Sequence, residues 1–188
     1  MVATSCLRTL ADTDEPVAAP SHEGLPPAGT VYAFRTRPYS TLAPAETGRY
    51  SAFKIIGPNQ KHVAIAVLDG VWGEVPTLKQ AEQAQILKEH RFAHNGRLAV
   101  FGVIADWWEP AELDAVTFLG KIDVPAPEAV LAAKIASSAI GTRYSTLRTI
   151  NYAAEGEWRW GNDRGALLGE AKLSAAIPRH GSPSNAGA

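Results

Sequence analysis

Two histidines at helical spacing are the first residues whose types could do chemistry. His90 and His94 in "HRFAH" would lie on one face of a helix, and zincins use this i, i+4 spacing for two zinc ligands. The glutamate of that motif is absent, because Arg91 follows the first histidine. We therefore interpret the pair as solvent-facing histidines at a helix C-terminus, where the helix dipole favours a protonated imidazole. The alternative is a metal site completed by a ligand from a distant part of the sequence.

Patterns for nucleophilic catalysis and phosphate binding are also missing from the sequence. No serine lies in a G-x-S-x-G elbow, no glycine-rich phosphate loop occurs, and nothing near Cys6 would lower the pKa of its thiol. Asp106 and Glu109 flank two tryptophans. We interpret these carboxylates as charged residues at a strand end rather than as an acid–base pair. The sequence thus predicts no catalytic residue, no cofactor and no metal.

The five tryptophans are more informative than any catalytic pattern. Adjacent residues of a strand point to opposite faces, so Trp107 and Trp108 cannot both enter one core. In "EWRW", Trp158 and Trp160 share a face if the segment is extended and diverge by about 200° if it is helical. We expect at least one tryptophan at the surface, where tryptophan and arginine dominate interface hot spots. The alternative is that all five pack between the sheet and the terminal helices.

Arginines accompany these aromatic residues. Arg35 and Arg37 stand two apart in a predicted strand and are expected on one face. Arginine with interleaved aromatic rings suits an acidic protein patch, a nucleotide or single-stranded nucleic acid. The other interpretation is that these arginines are solvated or paired with carboxylates. The predicted partner-binding residues are Arg35, Arg37, Trp72, Trp107, Trp108, Trp158 and Arg159.

A sheet must position these residues, and the first half of the chain predicts it. "GTVYAFRTR", "RYSAFKIIG" and "KHVAIAVL" have the composition and alternation of strands, with "PNQ" as a turn. Asp69-Gly70 between apolar runs predicts a type I′ hairpin turn, which needs positive φ at both residues. "VWGEV" would be the returning strand of an antiparallel meander.

The second half predicts further helices and strands. "PTLKQAEQAQILKEH" begins with the capping-box pattern of Thr77 and Gln80 and predicts a helix that ends before Asn95-Gly96. "RLAVFGVIADWW" is almost entirely apolar, which predicts a central strand. "AVTFLGKIDV" predicts another strand.

Helices dominate the predicted C-terminal part. "PAPEAVLAAKIASSAIG" predicts a helix with Pro127 near its start and Gly141 at its C-cap. Asn162 would cap a final helix through Lys172. The fold class is α+β: a curved antiparallel β-sheet or an SH3-like small barrel, with one inserted helix and C-terminal helices.

Length and composition predict one ordinary globular domain. Of 188 residues, we assign 29–175 to a single α+β domain and interpret 1–28 and 176–188 as flexible tails. The net charge of −1 gives no overall attraction to nucleic acid or to an anionic membrane. One cysteine fits a reducing compartment, and neither a membrane span nor a secretory signal is found in the sequence. We expect a cytoplasmic protein.

The stretches "AGTVYAFRTR", "GRYSAFKIIG" and "HVAIAVLDGVW" together resemble the opening of the Immunity protein 26 family. In that family a glycine precedes an entry strand, a Gly-Arg/Lys-Tyr-Ala/Ser strand follows, and a hydrophobic strand comes next. "WRWGNDRGALLGE" is similar to the arginine- and tryptophan-containing tails of related bacterial proteins. The resemblance implies a small protein that binds and neutralises a toxin domain, and it supplies no catalytic residues.

The sequence therefore favours a non-enzymatic bacterial binding protein that is immunity-like and occludes the functional surface of a partner toxin. One alternative is a small barrel module that binds nucleic acid or a nucleotide. A further alternative is an enzyme whose site is assembled only in the fold, for example around His62, His90, His94 and Asp106.

Overall fold

The computed structural model describes residues 26–38, 47–59, 62–104, 115–137 and 146–176. Within these ranges the strands are β1 (Thr30–Arg35), β2 (Tyr50–Asn59), β3 (His62–Val67), β4 (Lys88–Glu89), β5 (Arg97–Leu98), β6 (Val100–Ile104) and β7 (Val116–Lys121). The helices are α1 (Leu78–Gln83), α2 (Ala126–Ser137), α3 (Thr146–Asn162) and α4 (Arg164–Ala176).

The predicted α+β class and antiparallel sheet are confirmed. Five strands pair in the order β6-β3-β2-β1-β7, and every neighbouring pair is antiparallel. Bulges between Val31 and Tyr32 and between Ile55 and Gly57 interrupt the register and increase the local twist. In the ranges that the structure describes, no pairing joins β6 to β7, so the SH3-like barrel stays a prediction. β4 and β5 form a separate two-stranded sheet.

Alternation along the strands gives the sheet two buried faces. Tyr32 and Phe53 lie opposite each other and pack with Ile150 of α3; we call this the α3 face. Val31 points the other way and packs with Ala81 of α1, on what we call the α1–α2 face. Because helices cover both faces, the central strands bury nearly all their side chains.

Helix α2 confirms the predicted helix at this place and closes the α1–α2 face. Lys54 of β2 is almost fully buried, and its ammonium forms an ion pair with Glu128 of α2 at 2.5 Å. Ala132 on the same helix is buried beside Ile56. The C-cap predicted at Gly141 lies outside the described residues. In the part of the chain that is described, none of the helices is both long and apolar enough to traverse a bilayer.

The type I′ turn predicted at Asp69-Gly70 is wrong, because neither residue has a positive φ. The indole of Trp72 folds back over Gly70, where a Cβ would lie 2.2 Å from ring atoms. Glycine is therefore favoured by this ring contact and not by the turn type, since a side chain at residue 70 would displace the indole. "VWGEV" is also not a strand beside β3: Trp72 alone makes a bridge, and it does so with Tyr50 of β2.

The inserted helix begins where the sequence predicts but is much shorter. The capping box is confirmed, since Gln80 N donates to Thr77 Oγ1 at 3.3 Å and Thr77 N donates to Gln80 Oε1 at 2.8 Å. The helix ends at Gln83 because the following chain returns to the sheet. Leu87 is buried in the main core and its N–H donates to Val67 O at 2.9 Å. His90 therefore does not lie on a helix.

Two further predictions need correction. The apolar segment after Arg97 forms β6, which lies at an edge of the described sheet rather than at its centre. The final helix is confirmed, but its cap is Asp163, whose Oδ1 accepts from Ala166 N at 3.3 Å. Asn162 is instead the last residue of α3, and its amide donates to Trp158 O at 2.7 Å. Of the predicted tails, residues 1–25 and 177–188 lie outside the described residues.

Candidate partner-binding surface

At one end of the sheet β1 stops and β2 begins, and α3 holds the segments on both sides of this connection. Asn151 accepts from Arg37 N at 2.7 Å and donates to Arg37 O at 3.0 Å. One turn later, Glu155 binds the guanidinium of Arg49, which directly precedes β2. Asn151, Glu155 and Arg159 are spaced i, i+4 and i+8, so they share one side of the helix. This polar stripe fixes the end of the sheet against α3.

Glu155 is the buried centre of an ion cluster. Its carboxylate is inaccessible to solvent, while the side chains of Arg49 and Arg159 are 23% and 13% exposed. It accepts from Nη2 and Nε of Arg49 and, at 2.9 Å, from Nε of Arg159. Charge-assisted bonds of this kind are about twice as strong as neutral ones. Two guanidinium groups share one carboxylate, so the cluster is rigid and carries an excess of positive charge.

Trp158 supports this cluster from the other side. The guanidinium carbon of Arg49 lies 3.8 Å from the centroid of its ring, within the range of a cation–π contact. Arg49 is therefore held at its edge by Glu155 and on its face by an indole.

A second row of side chains lies on the α1–α2 face at the same end of the sheet. Nε and Nη2 of Arg35 donate to the phenol oxygen of Tyr50 at 3.3 and 3.0 Å. The backbones of Tyr50 and Trp72 exchange two hydrogen bonds of 2.8 Å. Arg35, Tyr50 and Trp72 thus follow one another across the strands, and Arg35 is exposed. In this row Tyr50 stands between the guanidinium of Arg35 and the indole of Trp72.

We define the arginine–tryptophan surface as these two clusters together with Arg37. Of the predicted residues, Arg35 and Trp72 belong to the row on the α1–α2 face, and Trp158 and Arg159 belong to the cluster on α3. Arg37 lies between them, just after β1. Trp107 and Trp108 lie outside the described residues. The surface consists of Arg35, Arg37, Arg49, Tyr50, Trp72, Glu155, Trp158 and Arg159.

The sequence interpretation missed Arg49, Tyr50, Asn151 and Glu155. Glu155 and Arg159 form an i, i+4 pair, and this spacing could have identified the carboxylate. Nothing local identifies Arg49, which is separated from Glu155 by 106 positions. "EWRW" is helical, so Trp158 and Trp160 diverge: Trp158 contacts Arg49, whereas Trp160 lies elsewhere on α3. All three described tryptophans are partly exposed.

No family model, curated protein or solved structure matches this chain. The resemblance to the Immunity protein 26 family therefore stays a prediction.

The predicted histidine pair lies apart from this surface, in the loop between β4 and β5. His90 is exposed and His94 is partly buried. Burial lowers the pKa of His94 below 6.5; the nearby carboxylates oppose this shift, and the nearby guanidinium groups add to it. Within the described ranges, no group of three or more histidine, cysteine, aspartate or glutamate residues could hold a metal ion. The charged neighbours of His94 are Glu89, Arg91, Arg97 and Glu157.

Proposed function

We propose that this protein is a non-enzymatic binding protein whose arginine–tryptophan surface docks on an acidic patch of a partner protein. The observation that carries the proposal is the buried Glu155, which holds Arg49 and Arg159 in place while leaving the pair with a net positive charge. Arginine and tryptophan are the residue types that dominate the energetics of protein interfaces.

Pre-organisation is the physical advantage of this arrangement. Ordering a long side chain on binding costs about 0.5–1.5 kcal/mol for each residue. Arg49 is already fixed by Glu155 and by the face of Trp158, and Arg35 is already bonded to Tyr50. Much of this entropy is lost on folding, so more of the contact energy contributes to affinity. The positive charge also accelerates encounter with an acidic partner.

The size of the surface suits the centre of an interface. Asn151 and Arg159 are eight residues apart on a helix, which corresponds to about 12 Å. The row from Arg35 to Trp72 crosses three neighbouring segments, or about 10 Å. Hot spots of this extent commonly lie within interfaces that bury about 800 Å² on each partner.

An acidic protein explains the surface better than single-stranded nucleic acid does. Proteins that bind single strands stack bases on open aromatic faces. Here the guanidinium of Arg49 lies 3.8 Å from the ring centroid of Trp158 and covers one face of that indole. The phenol of Tyr50 is likewise occupied by Arg35.

The resemblance narrows the proposed partner to a toxin domain, which this protein would neutralise by covering its functional surface. Occlusion requires affinity and correct orientation, and it requires no reactive group on this chain. It also requires only an open curved sheet, so closure into a barrel is not part of the mechanism.

Affinity capture from the native host tests the proposal. The baits are the wild-type chain, the double variant Arg35→Glu/Arg37→Glu and the control Lys121→Glu. Lys121 is exposed and lies opposite Thr30, about 17 Å along the sheet from Arg35 at 3.3 Å per residue. We expect wild type and control to retain the same partner protein and the double variant to lose it.

Two results would overturn the proposal. The first is a partner that the double variant retains as well as wild type does. The second is binding to oligonucleotides that weakens steeply with salt, as counterion release demands, and that disappears in the double variant, because this would make the surface a nucleic-acid site.

A further inference from the structure

The loop between β4 and β5 has an unusual backbone. This segment, His90–Gly96, which we call the Phe92 loop, has positive φ at Phe92 (54°), Asn95 (52°) and Gly96 (79°). Asparagine and glycine adopt this region readily, but a bulky aromatic residue does so rarely. Such a conformation persists only where the surrounding contacts impose it, and these positions cluster at functional sites.

Helix α3 imposes the conformation through a carboxylate. The backbone N–H groups of His90 and Arg91 both donate to Oε2 of Glu157, at 2.8 and 3.0 Å. Glu157 therefore fixes two consecutive peptide groups just before Phe92.

A buried arginine, Arg91, also anchors this loop to α3. The side chain of Arg91 is 7% exposed, forms an ion pair of 2.6 Å with the fully buried Glu89, and donates to Ala153 O at 3.4 Å. The glycine at residue 156 lets this side chain lie close against α3, since a Cβ there would be 3.0 Å from both Cδ and Nε of Arg91. The loop is thus bound rigidly to the helix.

This construction displays an aromatic ring instead of burying it. Phe92 remains 43% exposed, and its ring centroid lies 5.5 Å from that of Trp160. The guanidinium of Arg164 lies 3.6 Å from the same indole centroid. A scattered exposed apolar residue needs no explanation, but here buried charges and an unfavourable backbone hold the exposed ring in place.

The charges around the ring indicate what it would bind. Arg97 is 55% exposed and Arg164 is exposed, whereas the two carboxylates of the loop anchor, Glu89 and Glu157, are buried or nearly so in ion pairs. Arg97 also pairs with Glu89 at 2.8 Å, and the exposed carboxylate of Asp163 caps α4 while keeping its negative charge. Among Arg97, Arg164 and Asp163, which face solvent, two of the three charges are guanidinium groups.

We propose that the Phe92 loop is a second docking surface, for an apolar side chain of an acidic protein segment. The apolar side chain packs on Phe92 and the edge of Trp160, and flanking carboxylates pair with Arg97 and Arg164. This surface is distinct from the arginine–tryptophan surface, because Trp158 and Trp160 point about 200° apart around α3.

The test uses two synthetic peptides of equal length and the full chain. One peptide has a central leucine–phenylalanine pair flanked by aspartates and glutamates, and the other has lysines in place of the acidic residues. Binding is followed by NMR through backbone amide and indole N–H signals. We expect the acidic peptide alone to shift signals of the Phe92 loop and the indole signal of Trp160.

Two substitutions separate docking from folding. Phe92→Gly should keep the fold, since glycine tolerates the positive φ. It should weaken binding of the acidic peptide at least tenfold, as the loss of a hot-spot side chain does. The control Val130→Ala removes another exposed apolar side chain, 55% exposed on α2, and should leave peptide affinity unchanged.

This second surface would be overturned by no shift with the acidic peptide, by equal binding of the peptide to Phe92→Gly, or by shifts confined to the arginine–tryptophan surface. Self-association of the chain that Phe92→Gly abolishes would also overturn it, because the occupant would then be a second copy. The variant Arg35→Glu/Arg37→Glu should still bind the acidic peptide at the loop. The two docking surfaces are thus tested by different variants, and one proposal can fail while the other stands.

Discussion

Replacing Glu155 with glutamine removes the charge that Arg49 and Arg159 share while nearly preserving the size of the side chain. Removing one partner of a fully buried ion pair costs about 3–5 kcal/mol, because the remaining charge stays buried without compensation. Both arginines here reach solvent in part, at 23% and 13% exposure, and can recover some hydration. We therefore expect Glu155→Gln to lower the free energy of unfolding by about 2–3 kcal/mol.

Urea unfolding and thermal unfolding at pH 7 measure this loss. In a chain of this size about 1 kcal/mol corresponds to about 2–4 °C, so the midpoint should fall by about 5–10 °C. The matched control is Glu82→Gln, which neutralises an exposed carboxylate on α1 and should change the free energy of unfolding by less than about 0.5 kcal/mol. If Glu155→Gln is as stable as this control, Glu155 does not hold the arginines and the pre-organised surface does not exist.

The remaining predictions concern the loop anchor and its histidine. Gly156→Ala should destabilise by about 1–2 kcal/mol, because the added methyl group meets the buried Arg91 side chain at 3.0 Å. Gly169→Ala should instead stabilise by about 0.5–1 kcal/mol, since nothing lies within 4 Å of its Cβ position; urea curves in which both variants gain stability would refute the packing of Arg91. His94 has a pKa lowered from 6.5 by burial, so the unfolded chain binds more protons as pH falls from 7 through the folded-state pKa, and stability should fall with it. Unfolding measured across this pH range should show a smaller fall for His94→Asn, and equal slopes would contradict this assignment.

Local sequence signals predicted the elements that depend on local interactions. Alternation identified β1, β2 and β3, and the Thr77–Gln80 capping box identified the start of α1. The end of that helix was not predictable, because Leu87 is drawn into a core built from distant strands. The turn at Asp69-Gly70 was predicted with the wrong type, since neither residue has a positive φ; the contact of Gly70 with the ring of Trp72 carries no signal in turn propensity.

The residue types of the candidate surface were predictable from the sequence, but the contacts that hold these residues in place were not. The tryptophan excess and the arginines near aromatic residues indicated Trp72, Trp158 and Arg35, but the pairing of Arg49 with Glu155 joins segments that only the fold brings together. The left-handed backbone of Phe92 carries no glycine or asparagine signal of its own, since contacts with α3 impose it.

The most direct measurement of the central claim is the dissociation constant of the captured partner for Arg37→Glu beside wild type. The side chain of Arg37 is exposed, and its contact with Asn151 is made by its backbone N–H and C=O, so we expect the substitution to change surface charge while sparing the fold. A docking surface for an acidic partner predicts at least about tenfold weaker binding, equal to about 1.4 kcal/mol, with Lys121→Glu binding like wild type. Equal dissociation constants for wild type and Arg37→Glu would contradict it.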